Sequence, residues 1–253
     1  MKILILTQDD YLYLNRFMRS LIHRLEEQEN ELAVATFSAS PFGKKLSTTQ
    51  KLLQTLEIFG FRFFIYYTIL FCFRRLFTPG IVKICKQTNV RHFSIIGSIN
   101  SHDNIEELAK ENFDLIVSLS GNQIFKSNLL ATSKYGCINL HCSQLPKYRG
   151  LMPSFWSIAN GESETAATVF QVDEGIDSGP IILQQSVDIT SMSQRRVILT
   201  TKEIGCNLLV EVIKLFQEGK VVYKDNPDHL SSYYGFPNRE DVKKFLKSGG
   251  KFF

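Results

Sequence analysis

The sequence predicts an α/β fold: a Rossmann-like, mostly parallel sheet flanked by helices and followed by a short C-terminal α/β tail. Two observations predict it. The apolar run KILILT at residues 2–7 is typical of a central strand that is buried on both faces. A helical pattern and a second apolar run follow by residue 37, and strand, helix and strand in that order form a parallel unit with a right-handed crossover.

The same patterns place each further element along the chain. Short apolar runs predict strands at residues 2–7, 32–37, 114–119, 136–141, 165–172 and 181–187. Apolar positions at helical spacing predict helices at residues 14–25, about 50–76, 101–110 and 194–217. Residues 38–49 contain Pro41 and Gly43 and are expected to form a loop.

We expect two units. Residues 1–190 form an N-terminal α/β domain with an aromatic-rich helical insert at about 47–77, and residues 191–253 form the last helix and the tail.

Composition excludes several classes of protein. The net charge is only +4, and the sequence lacks the concentrated basic residues of a nucleic-acid binder. The five cysteines show no CxxC pair and no metal-ligand spacing, so neither a metal site nor a disulfide scaffold is expected. Their odd number, and a start that does not resemble a signal peptide, predict a cytoplasmic protein.

The insert contains an uncharged aromatic segment, FFIYYTILFCF at residues 63–73, bracketed by Arg62 and by Arg74 and Arg75. As a helix it would be roughly 16 Å long, about half of what a membrane-spanning helix needs. Two interpretations remain open. The helix is buried or faces a second copy in a dimer, or residues 62–75 make a weak contact with a membrane surface.

Two polar patches follow predicted strands. Asn139 and His141 are two residues apart in one strand and therefore project from the same face. VDEGIDSGP at residues 172–180 supplies Asp173 and Asp177 within a tight glycine-containing loop. Both patches leave the C-terminal ends of strands, so we expect them to converge. An amide, an imidazole and a carboxylate around one cleft suit acyl transfer to an amine.

Other interpretations of these residues are open. A histidine at a strand end is often structural, and an Asp- and Gly-containing segment is common in plain turns. Cys142 is a weak candidate nucleophile because it alternates to the other face of the strand. The sequence has no glycine-rich phosphate loop, which disfavours ATP- or NAD-dependent chemistry.

The two patches together resemble the formyltetrahydrofolate-dependent formyltransferase family. NLHCSQLPKYRG at residues 139–150 is similar to the family signature NxHxSLLPxYRG, and VDEGIDSGPII at residues 172–182 is similar to its DxGxDxG segment. Gln144 departs from the signature, which has Leu there. The resemblance implies that Asn139 and His141 polarise the formyl oxygen, while Asp177 orients His141 and assists proton transfer.

The resemblance also implies a cosubstrate, N10-formyltetrahydrofolate, and no metal. Two segments would hold its pterin ring through their backbone groups. Their residues in this chain are Gly121, Asn122, Gln123, Ile124, Val172, Asp173 and Gly175.

The acceptor is inferred from the rest of the chain. YYGFPNREDVKKFLKSGGKFF at residues 233–253 resembles the terminal segment of sugar N-formyltransferases of bacterial surface-polysaccharide (O-antigen, lipopolysaccharide) synthesis. Enzymes acting on methionyl-tRNA carry a large C-terminal β-domain, whereas about 35 residues follow Gln217 here. The resemblance therefore implies a nucleotide-linked amino sugar, such as a dTDP-4-amino-4,6-dideoxyhexose. Glycinamide ribonucleotide, a lipid-linked amino sugar, methionyl-tRNA and a non-catalytic folate-binding role remain alternatives.

Four residues are candidates for binding this acceptor. Lys147 and Arg149 lie just beyond the catalytic strand and could meet a diphosphate, and Tyr11 and Tyr148 could stack on a base or sugar. Alternatively, the two cations are solvent-exposed or structural, and the two tyrosines only pack in the core or at the rim of the cleft. The family resemblance and the surplus apolar surface of the insert also predict a homodimer.

Overall fold

The computed structural model describes residues 1–37, 47–121 and 123–253. Most of the predicted loop, residues 38–46, and the predicted folate contact Asn122 lie outside the described residues. The strands are β1 (Lys2–Thr7), β2 (Glu31–Phe37), β3 (Arg91–Ile95), β4 (Leu115–Leu119), β5 (Cys137–His141), β6 (Arg149–Gly150), β7 (Glu164–Gln171), β8 (Ile181–Asp188) and β9 (Tyr233–Tyr234). The helices are α1 (Asn15–Glu26), α2 (Thr48–Phe59), α3 (Phe61–Phe77), α4 (Ile81–Thr88), α5 (His102–Ala109), α6 (Ser127–Leu130), α7 (Pro153–Ala159), α8 (Gln194–Gln217) and α9 (Arg239–Lys247).

A seven-stranded sheet organises the chain, in the order β3-β2-β1-β4-β5-β7-β8. The first five strands in this order run parallel. β7 runs antiparallel to β5, and β8 runs antiparallel to β7. The mostly parallel α/β fold predicted from the apolar runs is confirmed.

Successive residues of β1 are buried on opposite faces of the sheet, which explains its continuous apolar sequence. Ile3 and Ile5 join a core that includes residues of α1, α4 and α8. Leu4 and Leu6 join a second core, on the other face, that includes Leu108 of α5. Because α8 shares the first core with the sheet, the predicted boundary at residue 190 falls between elements that pack together.

The predicted helix at residues 50–76 is wrong as a single element. It is two helices, because Gly60 adopts a φ of 82° and ends α2 before α3 begins. Ser47 starts α2 with a capping box, in which its hydroxyl accepts from the Gln50 N–H while the Gln50 side chain accepts from the Ser47 N–H. No helix in the described ranges is both long enough and apolar enough to cross a membrane.

The C-terminal tail is tied to the loop that follows β5. β9 pairs in parallel with β6, and α9 packs on α7 through Phe155 and Phe245, whose rings stack 4.9 Å apart. Phe252 joins the same cluster and contacts Phe59 at the end of α2. The predicted short α/β tail is therefore present, and it places its residues beside the polar patch of β5.

Candidate active site

An open cleft of about 820 Å³ lies at the carboxyl ends of β1, β4 and β5. The strand order reverses between β1 and β4, and open α/β sheets bind ligands at such a point. Gln8 follows β1, Ser120 follows β4, and Asn139 to Cys142 complete this edge. The cleft thus coincides with the first polar patch predicted from the sequence.

Asn139 and His141 lie on the same face of β5, as their spacing predicts, and both line the cleft. In the described part of the chain, the Asn139 amide forms no side-chain hydrogen bond, so its NH₂ group is available to an oxygen of a bound ligand. His141 is 7% exposed. Its Nε2 lies 2.8 Å from the Tyr148 carbonyl oxygen, which can only accept, so Nε2 carries a hydrogen.

Asp177 meets the other nitrogen of the same ring. Its Oδ2 lies 3.6 Å from His141 Nδ1 and also accepts a hydrogen bond of 2.8 Å from the Gly150 N–H. With Nε2 donating to a carbonyl, the neutral imidazole has its lone pair at Nδ1. A proton taken up at Nδ1 is then stabilised by the adjacent carboxylate. The structure therefore brings together the three residues predicted from the two patches.

The route by which Asp177 arrives differs from the prediction. Because β7 is antiparallel to β5, the end of β7 lies beside the beginning of β5, where the Val172 N–H donates to the Cys137 carbonyl. Residues 172–180 must therefore return along β5 to reach His141. Asn226 holds the returning loop, since its Nδ2 donates to the carbonyls of Asp177 at 2.9 Å and Gly179 at 2.8 Å.

Backbone conformation supports this arrangement. Asp177 and Tyr148, whose oxygens lie against the two nitrogens of the His141 ring, have φ values of 50° and 61° in the left-handed region. Such values cost free energy in non-glycine residues and are concentrated at functional sites. Gly150 has a φ of 95°, and a Cβ there would collide with the Tyr234 carbonyl oxygen across the β6–β9 pairing. Gly150 therefore lets the tail approach the site closely.

The predicted folate-binding residues are mostly on one side of the cleft. Gly121, Gln123, Ile124, Val172 and Gly175 line it. Asp173 does not line the cleft; its Oδ1 instead accepts from the Gly175 N–H at 3.0 Å and from the Ser178 hydroxyl at 2.7 Å, which folds the loop. Ile124 and Ile176 leave apolar surface exposed on this side, and a flat heterocycle fits such a surface.

The predicted acceptor-binding side chains do not line the cleft. Arg149 is buried and donates to Asn226 at 2.9 Å and to Asp228 at 2.7 Å, because a buried guanidinium needs internal acceptors. The Tyr148 hydroxyl donates to Glu162 at 2.7 Å, and the Lys147 ammonium lies 4.0 Å from Glu162 on the surface. Tyr11 lines a separate cavity of about 390 Å³.

Other residues, not predicted from the sequence, also line the cleft. Lys202 of α8 donates to the Ser120 hydroxyl at 2.8 Å, and it is the one Lys or Arg among the described residues that line the cleft. Gln194, Ile198 and Lys202 line it at successive turns of α8, a spacing of four that is visible in the sequence. Aromatic residues complete the wall: Tyr13, Phe63, Tyr67, Tyr233 and Phe236.

Two wall residues are joined in the interior. The Tyr13 hydroxyl donates to the Tyr67 hydroxyl at 2.9 Å, and burial, followed by the neighbouring Tyr67, raises the pKa of Tyr13. Both phenols therefore remain neutral and link α3 to the loop after β1.

Cys142, the weak candidate nucleophile, also lines the cleft, just after the end of β5. The described ranges contain no group of three or more His, Cys, Asp or Glu side chains that could hold a metal ion.

The sequence of the chain matches a known protein family. A family model described as formyl transferase matches residues 67–213. The chain belongs to this formyltransferase family. The resemblance read from the two polar patches is thereby confirmed, and the matched range includes Asn139, His141 and Asp177.

Curated relatives are methionyl-tRNA formyltransferases. That of Citrifermentans bemidjiense is 37% identical over 140 residues, which are 55% of this chain and 44% of the relative. That of Clostridium perfringens is 32% identical over 171 residues, which are 67% of this chain and 55% of the relative. The chain spans about half the length of the curated relatives it matches.

Solved structures with the same fold include sugar N-formyltransferases. One from a Shewanella species superposes with a TM-score of 0.63 at 18% identity, over 98% of this chain and 87% of that one. An N-formyltransferase from Helicobacter canadensis, solved with folinic acid and dTDP-3-aminofucose, gives a TM-score of 0.64 at 17% identity, over 98% of this chain and 80% of that one.

Proposed function

We propose that this formyltransferase moves the formyl group of N10-formyltetrahydrofolate to the amino group of a nucleotide-linked amino sugar, such as a dTDP-4-amino-4,6-dideoxyhexose, for surface-polysaccharide (O-antigen) synthesis. One observation carries the proposal. Asn139, His141 and Asp177 line a cleft that also contains the apolar side chains of Ile124 and Ile176, several aromatic rings and, among the described residues, a single lysine.

The chemistry follows from the hydrogen bonds. When the amine attacks the formyl carbon, the Asn139 NH₂ donates to the oxygen that becomes an anion. The attacking nitrogen loses a proton to His141 Nδ1, because Nε2–H is engaged by the Tyr148 carbonyl. Asp177 stabilises the imidazolium. The bond between the carbon and the folate nitrogen then breaks, and that nitrogen takes the proton from Nδ1. The products are the formamide and tetrahydrofolate.

The lysine and the aromatic rings that line the cleft support a small anionic acceptor. The Lys202 ammonium can meet one diphosphate, and the aromatic wall that includes Tyr13, Tyr67 and Tyr233 can stack on a base or sugar ring. A polynucleotide is bound through many phosphates, and the described cleft lining contains one cation. These features favour the nucleotide sugar over methionyl-tRNA.

We further propose a cytoplasmic location and a homodimer. All five cysteines are unpaired, the state that thiols keep in a reducing compartment. The homodimer stays a prediction, and analytical ultracentrifugation of the purified chain measures it directly.

Formylation of methionyl-tRNA is a second candidate, favoured by the 37% identity to an enzyme of that name. One experiment separates the two. The purified protein is incubated with N10-formyltetrahydrofolate and, in parallel, with dTDP- and UDP-linked amino sugars, methionyl-tRNA and glycinamide ribonucleotide, and products are identified by mass spectrometry. We expect a formamido sugar nucleotide. Formyl-methionyl-tRNA or formylglycinamide ribonucleotide as the sole product would overturn the acceptor assignment, and folate binding without any product would overturn the enzyme assignment.

A further inference from the structure

One face of α3 is apolar and uncovered. Its residues, called here the outer face, follow helical spacing and are all uncharged and exposed: Phe61, Ile65, Thr68, Ile69, Cys72, Phe73 and Leu76. Ile69 is 65% exposed and Leu76 is 79% exposed. The 17-residue helix therefore presents an apolar stripe roughly 25 Å long to the surroundings.

The opposite face of α3 already has its partners. Phe63 packs 4.8 Å from Phe252, measured between ring centroids, Tyr66 stacks on Phe253, and Tyr67 bonds to Tyr13. A helix that is apolar on both faces is normally covered on both. The outer face therefore needs an occupant that the described chain does not supply.

The charge around this helix is one-sided. Residues 58–102 contain six Lys or Arg and no Asp or Glu. The formal charge of this segment is +6 while that of the whole chain is +4, and one of the six cations, Arg91, pairs with Glu111 at 2.8 Å. The residues outside the described ranges, 38–46 and 122, also include no Asp or Glu.

A cationic cavity lies at the C-terminal end of the outer face. It measures about 390 Å³ and is lined by Arg19, Arg75 and Lys83, with Leu76 and Phe77 at the same site. Arg75 also lies over the Tyr11 ring, 5.6 Å from its centroid. The Asp9 carboxylate lies behind the cavity wall, with its Oδ1 3.3 Å from the Cβ position of Gly80, but it does not itself line the cavity. Its Oδ1 accepts from the Ile81 N–H at 2.8 Å and from the Asn15 amide at 3.1 Å. None of the three cations forms an ion pair within the described part of the chain.

We propose that α3 lies in the plane of an anionic membrane surface, with its outer face among the lipid chains and a phospholipid phosphate in the cavity lined by Arg19, Arg75 and Lys83. An amphipathic contact of this kind needs apolar residues beside cations. The combination selects this occupant. RNA offers phosphates and bases that stack on single rings, but no continuous apolar surface that covers a helix face roughly 25 Å long. A second copy would bring its own cationic segment against the first, so the proposed homodimer would use another surface. The inference does not depend on which amine the enzyme formylates.

Vesicle flotation of the full chain tests the proposal. We expect binding to vesicles of phosphatidylcholine with phosphatidylglycerol, weak binding to phosphatidylcholine alone, and weaker binding at high salt. Arg75→Gln with Lys83→Gln should lower the partition coefficient by roughly 30-fold. Ile65→Gln, Ile69→Gln and Phe73→Gln together should lower it by at least ~10-fold.

Matched controls use residues of the same type elsewhere. Arg239→Gln with Lys247→Gln removes two exposed cations, and Val222→Gln, Leu230→Gln and Leu246→Gln removes three exposed apolar side chains; neither set should change flotation. Circular dichroism melting shows whether each variant is folded. If the triple apolar variant does not fold, the double cation variant alone tests the proposal.

Four results would overturn the proposal. The protein remains unbound to anionic vesicles, or it binds inorganic phosphate in calorimetry without binding vesicles, or it binds tRNA through the same cations without binding vesicles. The fourth is a dimer in ultracentrifugation that the triple apolar variant converts to monomer, which would assign the outer face to a second copy.

Discussion

The polar site on β5 and the aromatic insert of α2 and α3 are held in place by different forces. In the site, two hydrogen bonds of 2.8 Å hold the residues, one from His141 Nε2 to the Tyr148 carbonyl and one from the Gly150 N–H to Asp177. The Asp177 carboxylate lies 3.6 Å from His141 Nδ1, although the two residues are 36 positions apart in the sequence. In the insert, rings such as Phe59 and Phe63 stack 4.4 Å apart, with little direction. The comparison indicates where substitution is tolerated: directional contacts admit few residue types, whereas apolar packing admits many.

The largest effect is expected at His141. His141→Ala removes the proton acceptor and should lower kcat for formyl transfer by about 10³-fold while the protein stays folded. The exposed His102, outside the cleft, provides the matched control: His102→Ala should leave kcat unchanged. Steady-state kinetics measures both. A His141→Ala enzyme with near-normal kcat would show that the polar site does not perform the reaction.

Backbone strain gives the second effect. Gly150→Ala places a Cβ against the Tyr234 carbonyl at a φ of 95°, so the free energy of unfolding should fall by about 3 kcal/mol. Gly219→Ala is the control, because Gly219 also has a positive φ, of 64°, but nothing within 4 Å of its Cβ position. It should lose only about 1 kcal/mol in urea unfolding. Equal losses at the two glycines would contradict the close approach of the tail.

The smallest effect is expected at Lys202, where substitution separates acceptor binding from the chemical step. Lys202→Gln keeps a donor for the Ser120 hydroxyl but loses the charge offered to a diphosphate. KM for the sugar nucleotide should rise about 10-fold with little change in kcat. Lys214→Gln, on the exposed side of the same helix, should change neither. A fall in kcat at constant KM for Lys202→Gln would assign this lysine to the chemistry instead.

The sequence predicts most of the fold because buried strands and long helices have local patterns. The helix at residues 194–217 matches α8 at both ends. Strand direction is not local: nothing in residues 164–171 shows that β7 pairs antiparallel with β5. The single helix expected at residues 50–76 failed for another reason, since Gly60 ends a helix only where its φ turns positive.

In the candidate site, too, features set by local sequence could be predicted, and features set by contacts between distant residues could not. That Asn139, His141 and Asp177 meet in one cleft could be predicted because both polar patches follow strands of one sheet, while their roles in the reaction stay proposals. Arg149 could not be assigned correctly, because its partner Asn226 is 77 positions away and turns a possible phosphate ligand into a buried structural group. Lys202 was not predicted because the spacing of four that it shares with Gln194 and Ile198 does not show which face of the helix lines the cleft.

We propose that His141 and Asp177 act as one unit in formyl transfer. Formyl transfer by His141→Ala, Asp177→Asn and the double variant tests it most directly. Asp177→Asn keeps an acceptor for the Gly150 N–H while losing the charge, and it should lower kcat by about 10²-fold. We expect the double variant to be no slower than His141→Ala alone, because the carboxylate acts through the ring. Losses that multiply would show independent residues and contradict the account.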